Sequence, residues 1–457
     1  MNTNLIYGVK DKPGIWKTIV FALQQVLAIL AATIVVPVII NSSTGSQMSQ
    51  SAALFGAGVG TIVYLLFTKF KSPVFLGSSF AFIGSMCAAF GGAASMAAGY
   101  LGLIIGAILA GLVYVIIAVI VKFVGVKWIN KIMPASVIGP TVAIIGLSLS
   151  GNAIGDIFKG SVLVGNVPTA NTWLCLLCGL VTLATVITCS VYGKKMARII
   201  PFIIGIGAGY AVATIFTVIG RATDNTALQI INFDLFKDMQ WFPDFTFVEA
   251  FKGFGDINGT FIVTLIVAYV PVAFVVFAEH LADHKNISSI IGEDLLESPG
   301  LHRTLLGDGI GSMAGALFGG CPNTTYGESV GCVAISGNAS VVTTITAAII
   351  CIAAAFIAPL MTLLATIPSC VMGGVCVTLY GFIAVSGLKM IQKVDFNKNY
   401  NLFTVSVILI AGVGGMTLNI GKVTITSIAC ALILGILVNL LGSKAAKKDA
   451  ETESTEE

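Results

Sequence analysis

Long apolar runs recur along the whole chain, each close to the ~20 residues that a membrane-crossing helix needs, with short polar or charged segments between them. The first is WKTIVFALQQVLAILAATIVVPVII, Trp16 to Ile40. Read in this way, the chain predicts about fourteen spans, at 16–40, 51–68, 76–93, 98–122, 134–150, 170–192, 199–219, 258–279, 303–320, 325–337, 339–360, 368–389, 401–416 and 424–441. The alternating ~10-residue segments of a membrane β-barrel are not seen. The expected fold is therefore an all-α polytopic membrane protein. Composition agrees: of 457 residues, 56% are hydrophobic and 10% charged, against roughly 25% charged in soluble domains.

Charge adds an orientation. With the N-terminus placed in the cytoplasm, most lysines and arginines fall in segments on that side, among them Lys69, Lys71, Lys122, Lys127, Lys131, Lys194, Lys195, Arg198, Lys389 and Lys393. Only Lys159, Arg221, Lys237, Lys252 and Lys422 fall on the other. This bias predicts an even number of crossings in a cytoplasmic membrane, with both termini cytoplasmic. Residues 1–15 read as a polar cytoplasmic segment with no removable signal. The charged tail, 442–457, is expected to be disordered. No basic patch for nucleic acid is visible.

The longest loop, 221–257, separates seven predicted spans from seven more, and the chain repeats itself across it. PASVIGP, Pro134 to Pro140, recurs in pattern as PSCVMGG, Pro368 to Gly374, each opening the fifth span of its half. An odd number of spans per half turns the second copy upside down. Such a 7+7 inverted repeat is a hallmark of secondary transporters, whose substrates bind where the repeats meet. In the third span of each half the sequence becomes small and polar: FLGSSFAF, Phe75 to Phe82, and NTTYGES, Asn323 to Ser329. Paired interruptions of this kind point to broken helices around a site, because irregular backbone at that depth must be buried in protein or face a cavity.

Two acidic residues stand out against the apolar background, Glu279 and Glu328. A carboxylate at the bilayer centre costs on the order of 2.5 to 3.5 kcal/mol, so such residues usually line a pathway. The plainer alternative for Glu279 is a helix end at the cytoplasmic interface beside His280, Asp283 and His284. Asp283 shares the Glu279 face one turn on, either as a second site carboxylate or as part of a wet turn. His280 and His284 read as interfacial helix-end residues. Asp308 is expected near the cytoplasmic side, paired with Arg303. Gln24 and Gln25 interrupt the first span and need partners, through helix bridging or a ligand. Cys175 and Cys178 are read as small core residues of an apolar helix, not a redox or metal pair. No metal site or cofactor is expected.

The polar groups near the breaks include Ser78, Ser79, Thr324, Thr325 and Tyr326. With two carboxylates, and without a phosphate loop or a basic cluster, they suit a small, neutral, planar solute that presents N–H donors, with Phe80, Phe82 or Tyr326 against its flat face. No nucleotide-binding domain is present, so an ion gradient would supply the energy. A nucleophile, metal or cofactor arrangement for a membrane enzyme is missing, and the broken carboxylate-bearing spans favour a gated carrier over a channel.

These motifs resemble the nucleobase–ascorbate transporter family, also called nucleobase:cation symporter family 2, and within it the bacterial uracil permease branch. The resemblance runs through QQVLAILAATIVVP (24–37), LGSSFAF (76–82), PASVIGPTVAIIGLSL (134–149), AEH (278–280), SPGLHRTLLGDG (298–309), PNTTYGESVG (322–331) and IPSCVMGGV (367–375). It implies a fourteen-span inverted repeat with short strands in the discontinuous third and tenth segments. It also implies a core domain (16–122 and 258–360) moving against a gate domain (134–219 and 368–441), commonly in a homodimer. It places uracil between Glu279 and Glu328, with main-chain groups of Phe80 and Gly327 and with Tyr326 beside them. Ser79 joins these by its position at the break, Glu279 is the group whose protonation would couple transport to a proton gradient, and Asp283, an acid compatible with proton traffic, is the second candidate for coupling.

Two departures qualify this. Gln25 and Asp283 stand where the family often has histidine, and His284 is one residue out of register with the second. Pro322 to Glu328 departs from the Gln-Asn-x-Gly pattern of the purine and ascorbate branches, which favours a pyrimidine. A purine or sodium-coupled permease is the alternative.

Overall fold

The computed structural model describes residues 5–125, 128, 133–164, 167–194, 196–420 and 423–456; Lys127, Lys131, Lys195 and Lys422, used above for orientation, lie outside them. The first helices are α1 (Ile15–Thr44), α2 (Gln50–Phe67), α3 (Ile83–Gly92), α4 (Met96–Val124), α5 (Ala135–Ser148), α6 (Ser150–Ile157), α7 (Thr172–Tyr192) and α8 (Pro201–Ala222). After the long loop come α9 (Gly259–Ile291), α10 (Leu301–Gly319), α11 (Gly327–Ser336), α12 (Val341–Ala354), α13 (Ala358–Ala365), α14 (Ser369–Ile391), α15 (Asn399–Val413) and α16 (Ser427–Glu456). Strands are few: β1 (Leu76–Ser78) pairs antiparallel with β4 (Asn323–Thr325), β2 (Leu163–Val164) with β3 (Val167–Pro168), and β5 (Leu418–Ile420) with β6 (Val423–Ile425).

Local chemistry explains the boundaries. Asn258 caps α9 by accepting from the Phe261 N–H, and Gly292 ends it in the left-handed conformation at φ 73°, which glycine adopts without a Cβ penalty. Pro134 and Pro368 immediately precede α5 and α14.

Nine helices among the described residues are long and apolar enough to cross a membrane, or ten if α12 and α13, bent by 84°, form one crossing. The protein is thus a mostly helical, multi-pass membrane protein. Length and hydropathy alone do not yield fourteen crossings. The four expected spans outside this set are α3, α11 and α15, which are too short, and α10, which carries His302, Arg303 and Asp308 among its glycines.

One other expectation changes: the tail continues α16 to Glu456 in place of disorder, as its Ala, Lys and Glu content favours. Near the N-terminus, Ile6, Tyr7 and Val9 dock onto Gly337–Val341 through backbone hydrogen bonds.

The helices pack in two neighbourhoods. In one, α10 lies between α2 and α4, with α1, α9 and α12 around them; in the other, α14 packs on α5, α6 and α7, with α8, α15 and α16 beyond. Glycine permits close approach in the first: a Cβ added to Gly60 would lie 2.7 Å from the Gly311 carbonyl oxygen, and one on Gly311 equally close to that of Gly60. α2 and α10 therefore meet backbone to backbone.

Candidate functional site

The site is built where β1 and β4 cross. Leu76 faces Thr325, Gly77 faces Thr324 and Ser78 faces Asn323. The Ser79 N–H extends the pairing to the Pro322 carbonyl at 2.9 Å, and the Tyr326 N–H to that of Phe75 at 3.2 Å. Side chains satisfy the outer edges: the Leu76 N–H donates to Thr61 Oγ1 at 2.9 Å, and the Phe75 N–H to Ser329 Oγ at 3.0 Å. Ser329 Oγ also accepts from Gln25 Nε2 at 3.0 Å, so Gln25 bridges α1 to α11.

Each strand ends at a helix. Phe80–Phe82 form one 3-10 turn into α3, and Tyr326 precedes α11 in an extended conformation. The opening N–H groups of such half-length helices have no partner within the helix and carry partial positive charge. The Tyr326 hydroxyl donates to the Ser78 carbonyl at 2.8 Å. Its ring fills the place where a side chain on Gly77 would stand, 2.9 Å from Cδ2.

Beside this crossing lies a cavity of about 460 Å³. One wall is Ala28 of α1, the Ser79–Phe80 turn, Glu279 and Asp283 of α9, and Thr325 to Glu328. The opposite wall comes from α5 and α14, through Val142, Ile145, Leu379 and Phe382. Glu279, Asp283 and Glu328 are half-buried and all line this space; Arg198, exposed, also lines it. Asp283 accepts from the Thr325 hydroxyl at 2.8 Å, which ties α9 to β4. Ser79 Oγ is buried without a hydrogen-bond partner within the chain. The cavity thus offers carboxylate acceptors, helix-start donors and the Phe80 ring, itself edge-on to Tyr380 at 6.0 Å.

Ser79, Phe80, Glu279, Asp283, Tyr326, Gly327 and Glu328 all reach the cavity. Phe82 does not: it stacks on Tyr269 at 5.6 Å in the core. Ser78 stays in the strand pairing. Among the described residues, no group of three or more His, Cys, Asp or Glu is arranged to hold a metal ion.

The histidines depart most from expectation. His280 and His284 are fully buried, outside the cavity lining, and lie within α9 short of its end at Ile291. His280 Nδ1 meets Asp308 Oδ2 at 2.7 Å, and its Nε2 meets Thr304 Oγ1 at 3.0 Å. Asp308 is therefore paired with His280 and buried, in place of the expected Arg303 pairing at the cytoplasmic side. Thr304 donates its proton to the Leu301 carbonyl at 3.0 Å, so His280 Nε2–H is the donor toward Thr304. One proton is left between Nδ1 and Asp308. His284 donates from Nδ1 to the His280 carbonyl at 2.8 Å, and Nε2 meets the Tyr64 hydroxyl at 2.7 Å. A charged residue within an apolar span is costly, a signal that applied to Asp308 as much as to Glu328.

The family model Xan_ur_permease, described as Permease family, matches residues 16–421. Uracil permease of Bacillus caldolyticus is 38% identical over 95% of this chain and 94% of its own length. The uracil permeases of Bacillus subtilis (strain 168) and Escherichia coli (strain K12) are 36% and 34% identical, covering 97% and 96% of this chain and 97% and 94% of their own. Two solved structures share the fold at low identity. The transmembrane domain of the cyanobacterial bicarbonate transporter BicA has a TM-score of 0.57 at 16% identity, covering 97% of this chain and 99% of that one. Murine Slc26a9, an anion transporter in the inward-facing state, has a TM-score of 0.66 at 12% identity, covering 94% and 69%. This chain belongs to the Permease family, as a multi-pass membrane permease and not an enzyme.

Proposed function

We propose that this permease imports uracil by proton symport across the cell membrane, holding the base between Glu279 and Glu328. The observation that carries the reading is the convergence of Glu279, Asp283 and Glu328 on one cavity at the strand crossing. Uracil is planar and offers N–H donors and carbonyl acceptors on its rim. Carboxylates accept from its N–H groups, the opening N–H groups at Phe80 and Gly327 donate to its carbonyls, and the Phe80 ring covers its face. The uracil permeases among the relatives support the same substrate.

Protonation of Glu279, with Asp283 one turn away, removes one of three like charges from the shared cavity and couples carrier movement to the proton gradient. One proton entering with a neutral solute down 100 mV gains about 2.3 kcal/mol, which corresponds to roughly 50-fold accumulation. The two helix neighbourhoods serve as core (16–122 and 258–360) and gate (134–219 and 368–441), with the cavity between them. α3 and α11 as the broken third and tenth spans complete a fourteen-span inverted repeat. The pairing of β1 with β4, and the packing of α5 on α14, support it, because corresponding segments of the two halves meet. We assign both termini to the cytoplasm, and a homodimer as the assembled form.

The test is uptake of labelled uracil into proteoliposomes under an imposed inward proton gradient, with xanthine in excess and again with the gradient collapsed. Gradient-dependent accumulation that resists xanthine is the expected result. Displacement by xanthine would move the substrate to the purines, and accumulation driven by sodium alone would replace the proton.

A further inference from the structure

Residues 5–12 lie upstream of the region that the family model matches, yet they are woven into the fold. Tyr7 forms a parallel bridge with Asn338. The Ile6 and Tyr7 N–H groups donate to the Gly337 carbonyl at 2.7 and 3.2 Å, the Ala339 N–H to that of Tyr7 at 2.9 Å, and the Val341 N–H to that of Val9 at 3.1 Å. The Ser340 hydroxyl donates to the Asp11 carbonyl at 2.6 Å, while the Asp11 carboxylate accepts from the Gly8 N–H at 2.7 Å and closes a turn. On the other side Tyr7 rests on α1: Lys17 Nζ donates to its hydroxyl at 3.1 Å, and its ring meets Phe21 edge-on at 6.1 Å.

The apolar contacts reach further in. Val9 is 7% exposed and belongs to a second hydrophobic core with Leu76 of β1 and with Val330 and Val333 of α11. Val330 is two residues from Glu328. Helix α11 has only 10 residues, about 15 Å at 1.5 Å per residue, so both of its ends matter for where Glu328 stands. β4 holds the first end. The Gly337–Val341 turn, clamped by Tyr7 and Val9, holds the second.

We propose that residues 5–11 are a positioning strap: they fix α11, and through it Glu328, in the geometry the cavity needs, and they stay docked throughout transport. A binding group must be held within roughly 0.5 Å of its productive place, and a ten-residue helix freed at one end loses that constraint. The strap touches no substrate. Its readout rests on the uracil reading of the cavity.

The test uses full-length variants in proteoliposomes. Val9→Asp places a charge in the second core and is expected to raise the KM for uracil about tenfold, with Vmax per carrier molecule kept within about twofold; Val9→Ile is expected to keep the wild-type KM. A wild-type KM in Val9→Asp would overturn the proposal, as would a loss confined to Vmax. Tyr7→Cys/Asn338→Cys, oxidised to a disulfide that bridge-paired positions can accommodate, is expected to transport with the wild-type KM. Loss of uptake on oxidation, restored by reduction, would show instead that the strap must release. If Val9→Asp does not fold, Val9→Ala, which thins the same core contact without burying a charge, is expected to raise the KM in the same direction, and a wild-type KM there would overturn the proposal. A failure of the substrate reading appears separately, as absence of uracil uptake by the unaltered chain. The same KM comparison is then made with whichever nucleobase that chain takes up.

Discussion

Glu328 stands at the start of α11, where the helix N-terminus favours an anion and where, in the proposed mode of binding, the base presents its N–H groups. Replacing it by glutamine presents an amide to one of those groups and loses a charge-assisted hydrogen bond, about 1.5 to 3 kcal/mol. Uracil binding by Glu328→Gln is therefore expected to weaken roughly 10- to 100-fold, and unchanged affinity by equilibrium binding would remove Glu328 from the site. The buried His280–Asp308 pair makes a different demand. With His280 donating from Nε2 to Thr304, an asparagine at 308 can still donate to Nδ1, whereas alanine leaves a fully buried imidazole nitrogen without its partner. Asp308→Ala is expected to cost about 1 to 3 kcal/mol and Asp308→Asn much less. Thermal unfolding of the detergent-solubilised variants measures the difference, and equal losses would contradict the assigned proton positions.

At the scale of elements, the strand crossing sets the whole site. A side chain on Gly77 would occupy the space of the Tyr326 ring, which is itself anchored to Ser78. Gly77→Ala is expected to displace that ring at a cost of about 1 to 3 kcal/mol and to raise the KM for uracil, and a variant with wild-type stability and KM would show that the crossing tolerates the shift. FLGSSFAF and NTTYGES were legible as breaks because small polar residues interrupt otherwise apolar runs. Which residue of one faces which residue of the other was not, because the partners lie far apart in sequence and register follows from tertiary packing. His280 and His284 were misplaced for a related reason: beside Glu279, Asp283 and Lys285 they look like a wet helix end, and only α10, through Asp308 and Thr304, and α2, through Tyr64, bury them. The docking of the strap was not legible, because a single inward valine, Val9, stands among polar residues.

At the scale of the molecule, two helix neighbourhoods enclose a cavity whose acidic groups all come from α9 and α11, which pack together on one side. The opposite wall, from α5 and α14, is apolar where it meets the cavity at Val142, Ile145, Leu379 and Phe382. This division suits a carrier in which one part holds the solute and the other slides past it. Fourteen crossings were expected from the sequence, whereas length and hydropathy support nine or ten among the described residues, because α3, α11 and α15 are short and α10 is polar. The central claim is that uracil and a proton move together through Glu279. The most direct measurement is the lumenal pH of proteoliposomes given an inward uracil gradient and no imposed proton gradient. The unaltered carrier is expected to acidify the lumen as uracil enters, while Glu279→Gln, though still able to exchange labelled for unlabelled uracil, does not. Uracil entry without acidification by the unaltered carrier, or equal acidification by Glu279→Gln, would contradict the account.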